Sequence, residues 1–303
     1  MKTRKLSTEI EGIDQISIAL TAALYEPETS QGGCVFFCLP GGGVSTELFD
    51  LGTYEDFDYS FVSRMTELGH TLIAMDHPGT GTNPLPPDHP FLKPRQAADY
   101  EYAALEQFLE QADFTDRPLF GVGHSMGGMM TILTQGRRAP FDAICLFGSS
   151  AGGLDWGLDD HEKTYIGRED AIGHDIEELV IRKFKMPFTP PMGGPSGSIT
   201  FGGANEALNQ RLRDIGTELY AAGGMMGMIR GSMTTEVEAI TCPIFFAFGD
   251  HDIGIPPKDA PKDFINAEST ELVVLENTGH NSFAFPSIET LCDRLNYWAS
   301  NLA

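Results

Sequence analysis

The sequence predicts an α/β protein with a mainly parallel central sheet flanked by helices on both faces, interrupted by a largely helical cap insertion. Three observations point there. Short apolar runs alternate with longer helical patterns along most of the chain. The runs are continuously apolar, as strands covered on both faces require. The alternation stops over one stretch rich in glycine, proline and methionine, then resumes.

The strand-like runs are Ile16 to Leu24, Cys34 to Leu39, Thr71 to Met75, Pro118 to Val122, Ala143 to Phe147, Pro243 to Phe248 and Leu272 to Leu275. Helices are expected over Phe57 to Leu68, Arg95 to Gln111, Met126 to Arg138, Lys258 to Asn266 and Ser287 to Ser300. Strands that alternate with helices imply a parallel sheet, with ligands beyond the carboxyl ends of the strands. The interruption includes Met-Pro-Phe-Thr-Pro-Pro-Met-Gly-Gly-Pro at 186–195 and Gly-Gly-Met-Met-Gly-Met at 223–228. It divides the chain into a core of residues 1–151 and 236–303 and a cap of residues 152–235 lying over the strand ends.

Composition narrows the function classes. The 303 residues suit one large α/β domain with an insertion, and 41% hydrophobic with 21% charged residues describes a globular protein. A formal net charge of −23 repels phosphate and argues against nucleic acid as a partner. Uninterrupted apolar stretches of about 18 residues are lacking, so no membrane span is expected, and the basic start has no apolar run behind it. The expected address is cytoplasmic. Oligomeric state is open between monomer and homodimer. The five cysteines show no C-x-x-C spacing, and four lie in or beside apolar strand-like runs, where a thiol behaves as a small hydrophobe. Neither a disulfide framework nor a metal site is indicated.

The chemistry concentrates at Gly123-His124-Ser125-Met126-Gly127. An apolar run stops there and a helical pattern begins, which is the setting of a nucleophile elbow. Gly123 and Gly127 leave a tight turn clear of side chains. The turn lifts Ser125 into the open, and the new helix offers free N–H groups beside it. A serine needs a base, and the base needs an orienting acid. His280 follows the last apolar run in Asn277-Thr278-Gly279-His280-Asn281, and the preceding strand ends in Gly249-Asp250-His251-Asp252. Asp252, further into its loop, is the expected orienter, with Asp250 stabilising the turn. His124 reads as packing; His77, His89, His161 and His174 read as loop or cap residues. Met126 N–H is one expected oxyanion donor. The second comes from Leu39-Pro40-Gly41-Gly42-Gly43, with Gly42 assigned and Gly43 as the near alternative. That loop lacks a following Gly-Lys-Ser/Thr, so it is not a nucleotide P-loop.

With these pieces in order, the chain resembles the α/β-hydrolase superfamily over nearly all its length outside the cap. Pro40-Gly41-Gly42-Gly43 stands where that family usually has His-Gly-x-x. Asp76-His77-Pro78-Gly79-Thr80-Gly81-Thr82-Asn83 is similar to its Asp-x-x-Gly-x-Gly-x-Ser turn, with Asn83 in place of serine. The resemblance implies the α/β-hydrolase fold, a lid function for the insertion and no cofactor. The serine at the elbow separates the chain from the family's dehalogenases and epoxide hydrolases, which use aspartate.

The expected reaction is hydrolysis of a small-molecule carboxylic ester or thioester through an acyl-enzyme. Carbon–carbon bond hydrolysis, acyl transfer and cofactor-independent peroxidation share the same triad, and a non-catalytic ligand receptor is the remaining class. Met225, Met226 and Met228, with Phe184 and Phe188, favour a neutral, apolar acyl group, and Gly43 is a further expected substrate contact. Arg182, Lys183 and Lys185 form a small basic cluster that would suit an anionic carrier thioester.

Overall fold

The computed structural model describes residues 1–12, 16–29, 32–191 and 206–302. Twelve strands are present among them: β1 (Lys2–Glu11), β2 (Ser17–Glu26), β3 (Val35–Leu39), β4 (Asp50–Tyr54), β5 (Phe57–Ser60), β6 (Thr71–Met75), β7 (Leu119–His124), β8 (Ala143–Phe147), β9 (Phe188–Thr189), β10 (Leu219–Tyr220), β11 (Ile244–Gly249) and β12 (Thr270–Leu275). The α-helices are α1 (Phe61–Glu67), α2 (Pro94–Ala112), α3 (Met126–Arg138), α4 (Asp160–Lys163), α5 (Glu169–Phe184), α6 (Glu206–Asp214), α7 (Ala221–Met228), α8 (Thr234–Ala239) and α9 (Ile288–Ser300).

Side chains in the central strands point alternately into two apolar layers. Val35, Phe37 and Leu39 of β3 enter one cluster, while Phe36 and Cys38 enter the other. Ile144 and Leu146 of β8 divide in the same way from Cys145 and Phe147. The first layer is closed by α2 and α3, through residues such as Leu105, Phe108, Met130 and Leu133. The second is closed by α1 and α9, through Phe61, Met65, Leu291, Leu295 and Trp298. The result is one eight-stranded sheet of order β1-β2-β6-β3-β7-β8-β11-β12, parallel from β6 to β12. Within this sheet the antiparallel pairings are β1 with β2 and β2 with β6, at one edge. The predicted fold class is therefore the one observed.

Two local readings need correction, and one strand carries no signal in the sequence. β1 carries mostly exposed polar residues and buries only Leu6 and Ile10, so it lacks the apolar run of a central strand. The expected helix over Phe57 to Leu68 begins only at Phe61, where the Ser60 side chain accepts the Ser63 N–H at 3.0 Å and caps it. Residues 57–60 instead form a hairpin with β4, turned by Glu55 and Asp56 in left-handed conformation. Lys258 to Asn266 is not an α-helix; Pro257–Asp263 is 3-10, with Pro261 inside it unable to donate a backbone hydrogen bond.

The segment 152–235 holds α4 to α7 and the start of α8. Part of its proline- and glycine-rich tract, residues 192–195, falls outside the described residues. Ile172, Ile176 and Leu179 of α5 and Met225 and Met226 of α7 join the layer beneath α2 and α3. α6 sends Leu208 and Leu212 into the other layer. A partly buried ion-pair group fastens the segment to the core: Glu169 of α5 pairs with Arg95 of α2, which also bonds Glu236 of the core at 2.5 Å.

Cysteines 34, 38, 145 and 292 are buried and free, and all four lie in the layer under α1 and α9. Cys242, half-buried, packs against the opposite layer. Burial pushes these thiols above their usual range, Cys242 to about 11.

Candidate active site

Ser125 sits where β7 ends and α3 begins, with φ 52° and ψ −118°. Such a backbone costs on the order of 1–3 kcal/mol in a residue with a side chain. It is held by the Ser125 N–H to the Phe147 carbonyl at 2.9 Å. A Cβ on Gly123 would collide with the Gly127 backbone, and one on Gly127 with the Leu39 and Pro40 carbonyls. Both glycines of the elbow are thus sterically required.

The structure brings the three expected catalytic residues together. His280 Nε2 lies 2.8 Å from Ser125 Oγ, and His280 Nδ1 lies 2.7 Å from Asp252 Oδ1. An ionised Asp252 only accepts, so Nδ1–H donates to it and Nε2 is left to accept from the serine hydroxyl. Burial acts to raise the Asp252 pKa, but its hydrogen bond and charge interaction with His280 hold it below the usual carboxylate value. Gly148, at φ 55°, lies against this pair; a Cβ there would stand 2.9 Å from His280 Nδ1.

Asp250 occupies the turn position expected of it. Its carboxylate accepts the N–H groups of Asn277 and Thr278, each at 2.9 Å, and so ties the end of β11 to the loop carrying His280. Burial is the largest single influence and opposes its ionisation, but the Thr278 N–H, His251 and the Asn277 N–H together outweigh it and bring its pKa down to about 2.

Gly42 and Met126 line one cavity with Ser125 and His280. A Cβ on Gly42 would stand 3.6 Å from the Met126 Cβ, so the two expected oxyanion donors belong to neighbouring residues in space. The cavity, about 220 Å³, is walled by Met129, Leu154, Phe184, Leu219, Met228 and Phe248 together with Gly223, Gly224 and Gly227 of α7. Apart from His280, no ionisable side chain is in that wall among the described residues.

Four of the expected substrate contacts lie elsewhere. Met225 and Met226 are buried within the core. Phe188 stacks on Tyr220, ring centroids 5.4 Å apart, and covers Gly79. Gly43 turns away, its carbonyl accepting the Thr217 N–H at 3.0 Å. Phe184 and Met228 do line the cavity. The basic cluster is also absent from its wall. Arg182 pairs with Asp159 at 2.7 Å and with Glu162, and Lys183 pairs with Glu162 at 2.8 Å. Lys185 Nζ donates to the Arg182 carbonyl at 2.7 Å.

Two histidines do more than the sequence suggests. His124 is buried, and its Nε2 donates to the His280 carbonyl at 3.0 Å. Burial, with the neighbouring His280, brings its pKa to about 3 and keeps it neutral. His77 is buried between Glu101 and the Pro40 carbonyl. Burial lowers its pKa, but the Glu101 contact outweighs this and raises it overall; burial also raises Glu101. The residue next to it, Asp76, accepts the Thr46 and Thr82 N–H groups, while Asn83 bonds Thr21 and the Asp76 carbonyl at 2.7 Å. Asn83 thus bridges this turn to the β2 edge.

No group of three or more His, Cys, Asp or Glu side chains among the described residues is arranged to hold a metal ion. Among them, too, no helix is long and apolar enough to cross a membrane.

An elbow serine at the carboxyl end of a parallel sheet defines a class, and the family comparison agrees. The alpha/beta hydrolase family model matches residues 36–290, and the chain belongs to that family. Similar solved structures include a lipase in its open form, 16% identical, with TM-score 0.67 and 99% of each chain covered. A thermophilic esterase from Thermogutta terrifontis is also 16% identical, with TM-score 0.64 and 98% and 99% coverage. A bromoperoxidase from Bacillus anthracis reaches the same identity with TM-score 0.58 and 98% coverage of both. At such identities the likeness establishes the shared fold, on which several chemistries occur. No curated protein matches the sequence.

Proposed function

We propose that this chain is a serine hydrolase that cleaves a carboxylic ester or thioester of a mainly apolar acyl group. The observation that carries the reading is the unbroken hydrogen-bond chain from Asp252 through His280 to Ser125, opening into a cavity with mainly apolar walls, to which Ser149 and Ser150 also contribute. Ser125 Oγ attacks the acyl carbonyl as His280 Nε2 takes its proton. Asp252 keeps the imidazole in the accepting tautomer and stabilises the imidazolium. The Gly42 and Met126 N–H groups meet the oxyanion. His280 then protonates the leaving alcohol or thiol, and water, deprotonated by the same imidazole, releases the acid. Segment 152–235 acts as a cap, since Phe184, Leu219 and α7 furnish one wall of the cavity.

The cavity wall favours a neutral acyl group, and the internal pairing of Arg182 and Lys183 removes the support for an anionic carrier. A fluorophosphonate probe is expected to label the native protein at Ser125 and to leave Ser125→Ala unlabelled. Hydrolysis of p-nitrophenyl esters and acyl thioesters should be lost in the same variant. A folded native protein showing neither labelling nor turnover sinks the proposal.

A further inference from the structure

His77 and Glu101 form a buried pair that the hydrolytic steps above do not use. The imidazole is 1% exposed and the carboxylate 0%. Removing such groups from water costs several kcal/mol for each that is ionised. The free end of the pair gives it a task. His77 Nε2 lies 2.9 Å from the Pro40 carbonyl oxygen. A carbonyl only accepts, so Nε2 carries a proton and donates. At the other side of the ring, Nδ1 lies 2.7 Å from Glu101 Oε1. Either Nδ1–H donates to the carboxylate or the carboxyl O–H donates to Nδ1. In both states Nε2–H remains on Pro40.

Pro40 opens the loop that presents the Gly42 N–H. A run of three glycines has the widest backbone freedom available, and a donor 1 Å out of place loses much of its value. At its far end the run is fixed by the Gly43 carbonyl, which accepts Thr217 N–H at 3.0 Å. At its near end the fixed point is the Pro40 carbonyl, held by His77 and backed by Gly127. His77 is itself immobilised by Glu101 from α2 and by the tightly bonded Asp76 beside it.

Resting on the ester-hydrolase reading, we infer that Glu101 and His77 are a positioning pair that aims the Gly42 N–H at the oxyanion by holding the Pro40 carbonyl. The chain has proline where the family usually has histidine in this loop; the His124 ring packs against Gly41, but the imidazole hydrogen-bonded to the Pro40 carbonyl comes from the turn after β6.

The test compares His77→Leu with His77→Gln, whose amide N–H reaches toward the same carbonyl. Values of kcat per titratable serine are measured with a short-chain p-nitrophenyl ester. Losing a whole oxyanion donor costs about 10²–10³ in kcat. A misaimed donor in His77→Leu should therefore cost about 10–100-fold, with KM changed less than about twofold. His77→Gln should recover most of the loss. A purely structural role would lower the fraction of titratable serine and the Tm but leave kcat per site intact in both variants. That result, or equal kcat losses in both, overturns the proposal. Should His77→Leu not fold, ¹⁵N-histidine NMR of the native protein decides. A His77 Nε2–H signal protected from exchange is expected, and its absence overturns the proposal. This signal is read without turnover, so failure of the ester reading remains distinguishable from failure of the clamp.

Discussion

Three glycines in one eight-residue helix face the cavity: Gly223, Gly224 and Gly227 of α7. A helical glycine costs about 0.5–1 kcal/mol relative to alanine, so the wall is kept open at a total of roughly 1.5–3 kcal/mol. Not all three can be filled. A Cβ at Gly223 would stand 2.9 Å from Tyr220 Cδ1, too close without a shift. At Gly224 the nearest atom is Leu219 Cδ1 at 3.7 Å, and at Gly227 it is Met129 Cγ at 3.7 Å, both ordinary contacts. Gly224→Ala with Gly227→Ala should therefore stabilise the protein by about 1–2 kcal/mol, a Tm rise of roughly 2–5 °C. Each added methyl also takes the room of about one methylene of substrate, worth on the order of 10-fold or more in kcat/KM. The assay is a thermal melt alongside kcat/KM over a series of p-nitrophenyl esters of increasing acyl length. Short esters should be unaffected, while the longest chain the native enzyme accepts should fall by on the order of 10–100-fold. A higher Tm with an unchanged length profile would show that α7 is not the acyl wall. An unchanged or lower Tm would refute the account of the glycines.

Other expectations follow from single contacts. Asp252→Asn should cost on the order of 10⁴ in kcat by stabilising the wrong histidine tautomer, with little change in Tm; near-native kcat would place the orienting acid elsewhere. Asp250, with its pKa depressed to about 2, contributes stability that is fully present above its ordinary 3.8 and lost as pH falls through 2. Asp250→Asn should therefore show a flatter stability profile than the native protein across that window in urea titrations; parallel profiles would contradict the role. Arg182→Ala with Lys183→Ala strips both cations from Glu162, whose side chain is 1% exposed. Stability should be lost, read as a lower Tm, though less than for a fully buried pair because both cations are partly exposed. KM values for neutral esters and anionic thioesters should both stay as they are, and a selective rise for the thioester would restore the carrier reading.

The parts of the site legible in the sequence are those tied to one place in the chain. Ser125 is marked by glycines that its turn cannot do without, and Asp252 and His280 by their places just past strand ends. The chain's middle strands are likewise evident, because burial on both faces makes them apolar throughout. What stayed hidden depends on pairing at a distance. Nothing near His77 announces Glu101 on α2, and His124 looks like filler until the His280 carbonyl is seen above it. β1 was obscured because an edge strand exposes most of its side chains. The Glu55-Asp56 turn was obscured because neither residue is the glycine or asparagine that usually signals left-handed backbone. The apolar residues of the cap did not reveal their direction: a methionine-rich helix of period 3.6 sends Met228 to the cavity and Met225 and Met226 to the core.

The distribution of thiols gives the molecule its own set of unfolding reporters. Cys34, Cys38, Cys145 and Cys292 share the layer beneath α1 and α9, whereas Cys242 packs against the layer holding α3. At the four buried positions a thiol-reactive dye at neutral pH meets protonated, enclosed sulfurs in the native protein, so modification there must wait for an opening event. If the layer under α1 and α9 opens as a unit, its four cysteines will be modified together and Cys242 on a separate clock. Mass spectrometry of the modified chain would then time the opening of that side of the sheet against half-buried Cys242, with no engineered probe.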